Sequence, residues 1–307
     1  MAATGSTTMT KPLDPTTDVA DPRDAPEALA RAALGGDAHA LDRLLRQVEP
    51  TVFRLALRML GRFADAEDAT QEILVKVATS LATFGGRSRF TTWVHAIAAN
   101  HLRDQLRGSA RHEAGVTASL DELAERLDQG MAATAALPLD LAADPALALE
   151  ARETGLRCTQ GMLMYLDPEH RLALLLTEVF GLSGAEAAQV LDISHDALRQ
   201  RCARAKRTME EFLEGRCSRV DPAGSCRCER MAQARRLGGG AVPIEFCARP
   251  ISTAAQPAAV HAARDELVLI QRYAEQLRAD QAWQASPALH SRLRAVIAAS
   301  PVIGGRS

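Results

Sequence analysis

Apolar residues recur along this chain at steps of three and four, the repeat of one helical face. The segment LDRLLRQVEPTVFRLALRML carries such a stripe, with a break expected near Pro50. In DAEDATQEILVKVATSL the residues Ile73, Leu74, Val77 and Leu81 can face a core. After the break at Gly85 and Gly86, Phe90, Trp93, Val94, Ile97, Ala98 and Leu102 line one side of a further helix. Near the C-terminus Val260, Ala263, Leu267, Ile270, Ala274 and Leu277 form a heptad stripe of fewer than three heptads, and LHSRLRAVIAA follows Pro287 as a last helix. No run of alternating β-branched residues competes with these, so an all-α fold is expected.

The stretch SGAEAAQVLDISHDALRQRCARAKRTMEEFL reads as two helices and a turn. Ser183 and Glu186 have the spacing of a capping box, Asp192 and Ile193 make the corner, and Ser194 can cap the second helix. Leu198, Cys202, Ala205, Met209 and Phe212 form its apolar stripe. Arg199, Gln200, Ala203, Arg204, Lys206 and Arg207 fall off that stripe. A short helix, a turn and a basic second helix make the helix-turn-helix arrangement, whose second helix enters the DNA major groove. Residues His195, Asp196, Arg199 and Gln200 are then placed for base edges, and Arg204, Lys206 and Arg207 for phosphates. A merely solvated basic face is the alternative.

Charge is segregated along the chain, although the net charge is only -2, so any DNA binding must come from local patches. Residues 1–27, rich in Thr, Asp and Pro, read as a disordered tail. Two helical regions, 28–111 and 158–215, are separated by the acidic stretch 112–157, read as a linker with some helix. A Cys/Arg-rich segment, 216–250, and a C-terminal helical unit, 251–307, complete the layout. No apolar run is long enough to span a membrane and no signal-peptide pattern is present, so a cytoplasmic location is expected. No nucleophile–base set, phosphate loop or catalytic carboxylate pair stands out, which argues against an enzyme.

Two further faces carry candidate chemistry. Asp65, Asp68, Gln71 and Glu72 leave an acidic surface on one helix, suited to docking a partner or simply complementing the helix dipole. On the Trp-bearing helix, Asn100, Arg103 and Arg107 share a face, with Arg87 and Arg89 in the preceding loop, a set able to meet bases and phosphates. Trp93 lies on the apolar stripe and is assigned to the core.

An acidic helix, a Trp-bearing basic helix, an acidic linker and a helix-turn-helix, in that order, resemble the extracytoplasmic-function sigma factors of bacterial RNA polymerase. DAEDATQEI, RFTTWVHAIAANHLRD and LRQRCARAKR are each close to that family's pattern. The resemblance implies sigma region 2 over 28–111 and sigma region 4 over 158–215. It implies that Asp65, Asp68, Gln71 and Glu72 dock on core RNA polymerase. It assigns Arg87, Arg89, Asn100, Arg103 and Arg107 to the minus-10 strand of promoter DNA. It assigns His195, Arg199, Gln200, Arg201, Arg204, Lys206 and Arg207 to the minus-35 duplex. An anti-sigma factor is a further candidate partner. The chain departs from the pattern in having Asp192 where the family usually has Gly at the turn, in a longer linker, and in some ninety residues after the helix-turn-helix. A free-standing helix-turn-helix regulator, or a metal or redox sensor built on sigma domains, are the rival readings.

No cofactor is required for that function, but Cys217, Cys226, Cys228 and Cys247 cluster in the C-terminal segment. Clustered thiols in a cytosolic chain point to metal or redox chemistry, and four thiolates suit Zn or Cu. The spacing departs from paired Cys-x2-Cys, and the neighbouring arginines make a redox switch the rival. Cys202 is assigned to the apolar stripe and Cys158 reads as isolated. Some sigma factors of this group carry a cysteine-rich C-terminal extension that senses metal, and this tail is similar in placement.

Overall fold

A computed structural model describes residues 25–112, 119–141 and 143–238. The tail before residue 25, Cys247 and the helical unit expected over 251–307 lie outside the described residues. Among the described residues the fold is all-α, as expected, with one isolated backbone bridge between Cys217 and Cys226.

The N-terminal bundle consists of α1 (Pro26–Leu34), α2 (Ala38–Leu60), α3 (Phe63–Thr79) and α4 (Phe90–His112). Helix α2 runs unbroken through Pro50, against the expected interruption. Leu44, Leu45 and Val48 before the proline, and Val52, Phe53, Leu55 and Ala56 after it, are all buried. Burial on both sides outweighs the one backbone hydrogen bond that proline removes. Helix α3 buries Ile73, Leu74 and Val77 as expected, and Leu81 follows in a short 3-10 turn. Helix α4 buries Phe90, Val94, Ala98 and Leu102, with Trp93 and Ile97 half-buried. Trp93 packs among Phe84 and Phe90 at ring-centroid distances of 5.5 and 5.4 Å, a core position.

Helix α1 begins inside the stretch assigned to the disordered tail, and it has a job there. The Glu27 carboxylate accepts the backbone N–H of Phe90 at 2.9 Å, which satisfies an open donor at the start of α4.

The acidic stretch folds into α5 (Leu120–Thr134) and the first half of α6 (Pro145–Tyr165), capped by Ser119 and Asp144. Helix α10 (Cys228–Arg236) packs on both. The match is one of charge as well as shape: Arg236 bridges Asp144 and Glu150 at 2.5 and 2.7 Å, and Arg216 meets Asp128 at 3.1 Å. Arg230 donates to the carbonyls of Thr134 and Leu137 at 2.7 and 2.6 Å, the open C-terminal end of α5. The acidic stretch and the Cys/Arg-rich segment, far apart in sequence, therefore form one packed unit.

The second bundle continues from α6 through α7 (Pro168–Leu174), which widens into a π turn at Leu175–Val179, to α8 (Gly184–Leu191) and α9 (His195–Leu213). It packs directly against the first bundle through contacts of α4 with α7 and α8.

Candidate nucleic-acid interface

The helix-turn-helix forms as the residues dictate. Ser183 Oγ accepts the Glu186 N–H at 3.3 Å and the Glu186 carboxylate accepts the Ser183 N–H at 2.9 Å, completing the capping box. Asp192 takes the left-handed conformation, φ 53° and ψ 50°, that the corner needs and that aspartate tolerates better than most residues. Ser194 caps α9 by accepting the Ala197 N–H at 3.1 Å. The α9 stripe buries Leu198, Ala205, Met209 and Leu213, with Cys202 and Phe212 half-covered, so Leu213 replaces Phe212 as its last fully buried member.

His195, Arg199, Gln200, Arg204 and Arg207 are exposed on α9. Two assigned residues are not. Lys206 turns back to Glu178 at 2.9 Å, and Arg201 turns back to Glu169 at 2.6 Å.

The face of α4 meets the same carboxylate. Arg103 is 13% exposed, donates to Asn100 Oδ1 at 2.7 Å and stands 3.9 Å from Glu169, while Arg107 reaches Glu169 at 3.5 Å. Arg89, in the loop before α4, donates twice to Glu186 Oε1, at 3.0 and 2.6 Å. Arg87 remains exposed. The residues assigned to the two promoter elements are thus brought together, with Glu169 joining Arg103, Arg107 and Arg201. Glu186 holds both the capping box and Arg89; the Ser183 N–H and hydroxyl first, then Arg89, draw its carboxyl down to about 2.

On α3, Asp68 and Glu72 are exposed and Asp65 and Gln71 half-exposed, on the side opposite buried Ile73 and Leu74. Glu72 lies 3.7 Å from the His101 ring, whose other nitrogen is 2.7 Å from Lys76 Nζ.

Sequence reading missed four participants. Glu186 is assigned there only to the capping box, and Glu169 is given no role. Arg171, 5% exposed, donates from its two terminal nitrogens to the carbonyls of Met59, Met164 and Leu166 at 2.5, 2.8 and 2.9 Å. It ties the end of α2 to the end of α6; its position among apolar neighbours in RLALLL was the available signal. Cys158, read as isolated, lines one cavity with Cys217, Cys226 and Cys228. Burial, then the neighbouring Cys228 and Cys217, pushes the Cys226 thiol up to about 12, and burial followed by the same cluster pushes Cys158 up as well.

His95 of α4 sits edge-on to Phe180, ring centroids 5.4 Å apart, between the two bundles. Burial, with Arg89 and Arg54 adding to it against Glu186, brings its value down from 6.5 to about 4. The folded form holds a neutral ring, so the unfolded chain takes up the proton first. Stability present above pH 6.5 is then lost as pH falls toward 4. From these two values the loss at pH 5 is about 2 kcal/mol. Urea unfolding at pH 7.5 and pH 5 should show His95→Leu losing correspondingly less than the parent between the two; an identical loss would remove His95 as its source.

Among the described residues no helix is long and apolar enough to cross a membrane. A model of sigma-70 region 2 matches residues 44–112 and one of sigma-70 region 4 matches residues 156–209. The chain is 30% identical over 199 residues to the ECF RNA polymerase sigma factor SigE of Mycolicibacterium smegmatis, covering 64% of this chain and 71% of that one. It is 33% identical to the RNA polymerase sigma factor CarQ of Myxococcus xanthus, over 58% of this chain and 91% of that one. To the ECF RNA polymerase sigma factor ShbA of Streptomyces griseus it is 30% identical, over 61% and 94% respectively. Relatives 30% identical that this chain covers over more than two thirds of their length, together with both matched sigma regions, place the chain in the extracytoplasmic-function group of bacterial RNA polymerase sigma factors.

Proposed function

We propose that the free protein is a closed form of this sigma factor, in which the minus-10 face of the first bundle is held by Glu169 and Glu186 of the second. Glu169 carries the reading: one carboxylate joins Arg103 and Arg107 of the minus-10 set to Arg201 of the minus-35 set. Promoter DNA and Glu169 then compete for the same guanidinium groups. Core RNA polymerase, docking on Asp65, Asp68, Gln71 and Glu72, would separate the bundles and release Arg103 and Arg107 from Glu169. His195, Arg199, Gln200, Arg204 and Arg207, already exposed, would read the minus-35 duplex, and its phosphates would compete with Glu178, in the same bundle, for Lys206. Arg87, Arg89 and Asn100 would line the path of the melted minus-10 strand. The chain supplies specificity, and the chemistry of RNA synthesis belongs to the polymerase. An anti-sigma factor that favoured the closed form would silence the protein through these same contacts.

Transcription in vitro with bacterial core polymerase on a genomic DNA pool tests the assignment. Initiation from promoters sharing two spaced elements is expected. Arg103→Ala should reduce transcription on duplex promoters at least 10-fold more than on pre-melted ones, and equal loss on both would contradict a melting role. Asp65→Lys with Glu72→Lys should weaken core binding at least 10-fold and leave duplex DNA binding intact. A retained core affinity would remove α3 from the docking surface.

A further inference from the structure

None of the residues assigned to promoter DNA lines the cysteine cavity. Cys158 from α6, Cys217 and Cys226 from the loop after α9, and Cys228 at the start of α10 line a cavity of about 70 Å³. The backbone sets this grouping. The Cys226 N–H donates to the Arg216 carbonyl at 2.8 Å and the Ser218 N–H to the Cys226 carbonyl at 3.1 Å, which puts Cys217 and Cys226 side by side. Gly224 allows the loop to close that tightly, since a Cβ there would lie 2.7 Å from the Cys217 backbone carbon. Alanine or valine would fill such a space without the oxidation hazard of four thiols. Cations surround it: Arg216 and Arg219 line the same cavity, and Arg219 hydrogen-bonds the Cys228 thiol and lies against the α6 backbone at Gly155.

We propose that Cys158, Cys217, Cys226 and Cys228 form a tetrathiolate site for a thiophilic divalent cation of the zinc type, with Cys158 in place of Cys247 as the fourth ligand. Four thiolates suit a tetrahedral structural ion. Four thiol protons leave as the ion enters, and the complex carries two negative charges, matched by the guanidinium groups of Arg216 and Arg219. Among the described residues no group of three or more His, Cys, Asp or Glu side chains is already set to hold a metal ion. Arg219 lines the cavity and hydrogen-bonds the Cys228 thiol, and loading would draw the thiols together as its guanidinium left Cys228 for the outside of the cluster. The bound ion would fasten α6 and α10 to the end of α9, joining the acidic stretch and the tail to the helix-turn-helix by coordinate bonds.

Co²⁺ added to the reduced full-length chain under anaerobic conditions reports directly, because tetrahedral thiolate ligation gives intense charge-transfer and d–d absorption. One ion per chain with a four-sulfur spectrum is expected, displaced by Zn²⁺. Cys247→Ser should leave that spectrum unchanged, and Cys158→Ser should lose it with at least a 10-fold weaker affinity. Where Cys158→Ser fails to fold, Cys217→Ser in the loop should lose the same bands. Absent bands in the reduced parent protein overturn the site. So does loss of the bands in Cys247→Ser, their survival in a folded Cys158→Ser, or a Cys217–Cys226 disulfide recovered by mass spectrometry with no metal uptake by the reduced chain.

Discussion

Glu169→Gln is expected to raise the affinity of the free protein for duplex DNA about 10-fold at low salt and to open the molecule. The glutamine keeps a hydrogen-bond acceptor but removes the charge that Arg103, Arg107 and Arg201 share. Partly exposed pairs contribute roughly 0.2–1 kcal/mol each, and the two that cross between the bundles, those of Arg103 and Arg107, hold the closed form by about 0.4–2 kcal/mol. The gain should be largest in dilute salt, because screening weakens the same pairs in the parent protein. Each guanidinium freed to meet a phosphate should steepen the slope of log affinity against log salt by about 0.9. Anisotropy titrations across a salt series, with small-angle scattering on the free proteins, measure both effects. Superimposable scattering curves and unchanged slopes would show that the closed form does not depend on this carboxylate.

Arg171→Met should destabilise the protein by about 3–5 kcal/mol. Methionine fills a similar volume, but it leaves the carbonyls of Met59, Met164 and Leu166 buried without their donor. Each orphaned group costs about 1–3 kcal/mol. Among the described residues the guanidinium is held by no carboxylate at hydrogen-bond range. It sits at the C-terminal ends of α2 and α6, where the two helix dipoles favour a cation, although burial still lowers its value to about 10. Arg171→Lys should recover little, since one compact ammonium cannot reproduce the planar fork that spans three carbonyls. Urea unfolding followed by circular dichroism gives the test. Because Arg171 joins the two bundles, the variant should also separate one transition into two. A change below about 1 kcal/mol with a single transition would mean that apolar packing alone holds the bundles together.

The local elements were legible because each rests on neighbours in sequence. The capping box at Ser183 and Glu186, the Asp192 corner, the Ser194 cap and the stripe from Leu198 to Met209 are all contained within some thirty residues. The same holds for the buried side of α3 and for Trp93 as a core residue. Pro50 misled because a local helix-breaking rule was weighed without the burial on both of its sides. Cys158 misled because it lies 59 residues from Cys217, and only the packing of α6 against the loop after α9 brings the two to one cavity.

The sequence by itself determined helices α3, α4, α8 and α9, their order, their apolar faces and the resemblance to the family, because periodicity, caps and motif order are one-dimensional properties. Tertiary structure alone decided the partners of the charges. Arg89 meets Glu186 across 97 positions and Arg201 meets Glu169 across 32. The acidic stretch finds its cations in Arg216 and Arg236, some 90 residues further on. A charge on an exposed face has many partners within reach of its sign. Which one it takes is set by the helix that packing brings alongside, and no periodicity along the chain encodes that choice.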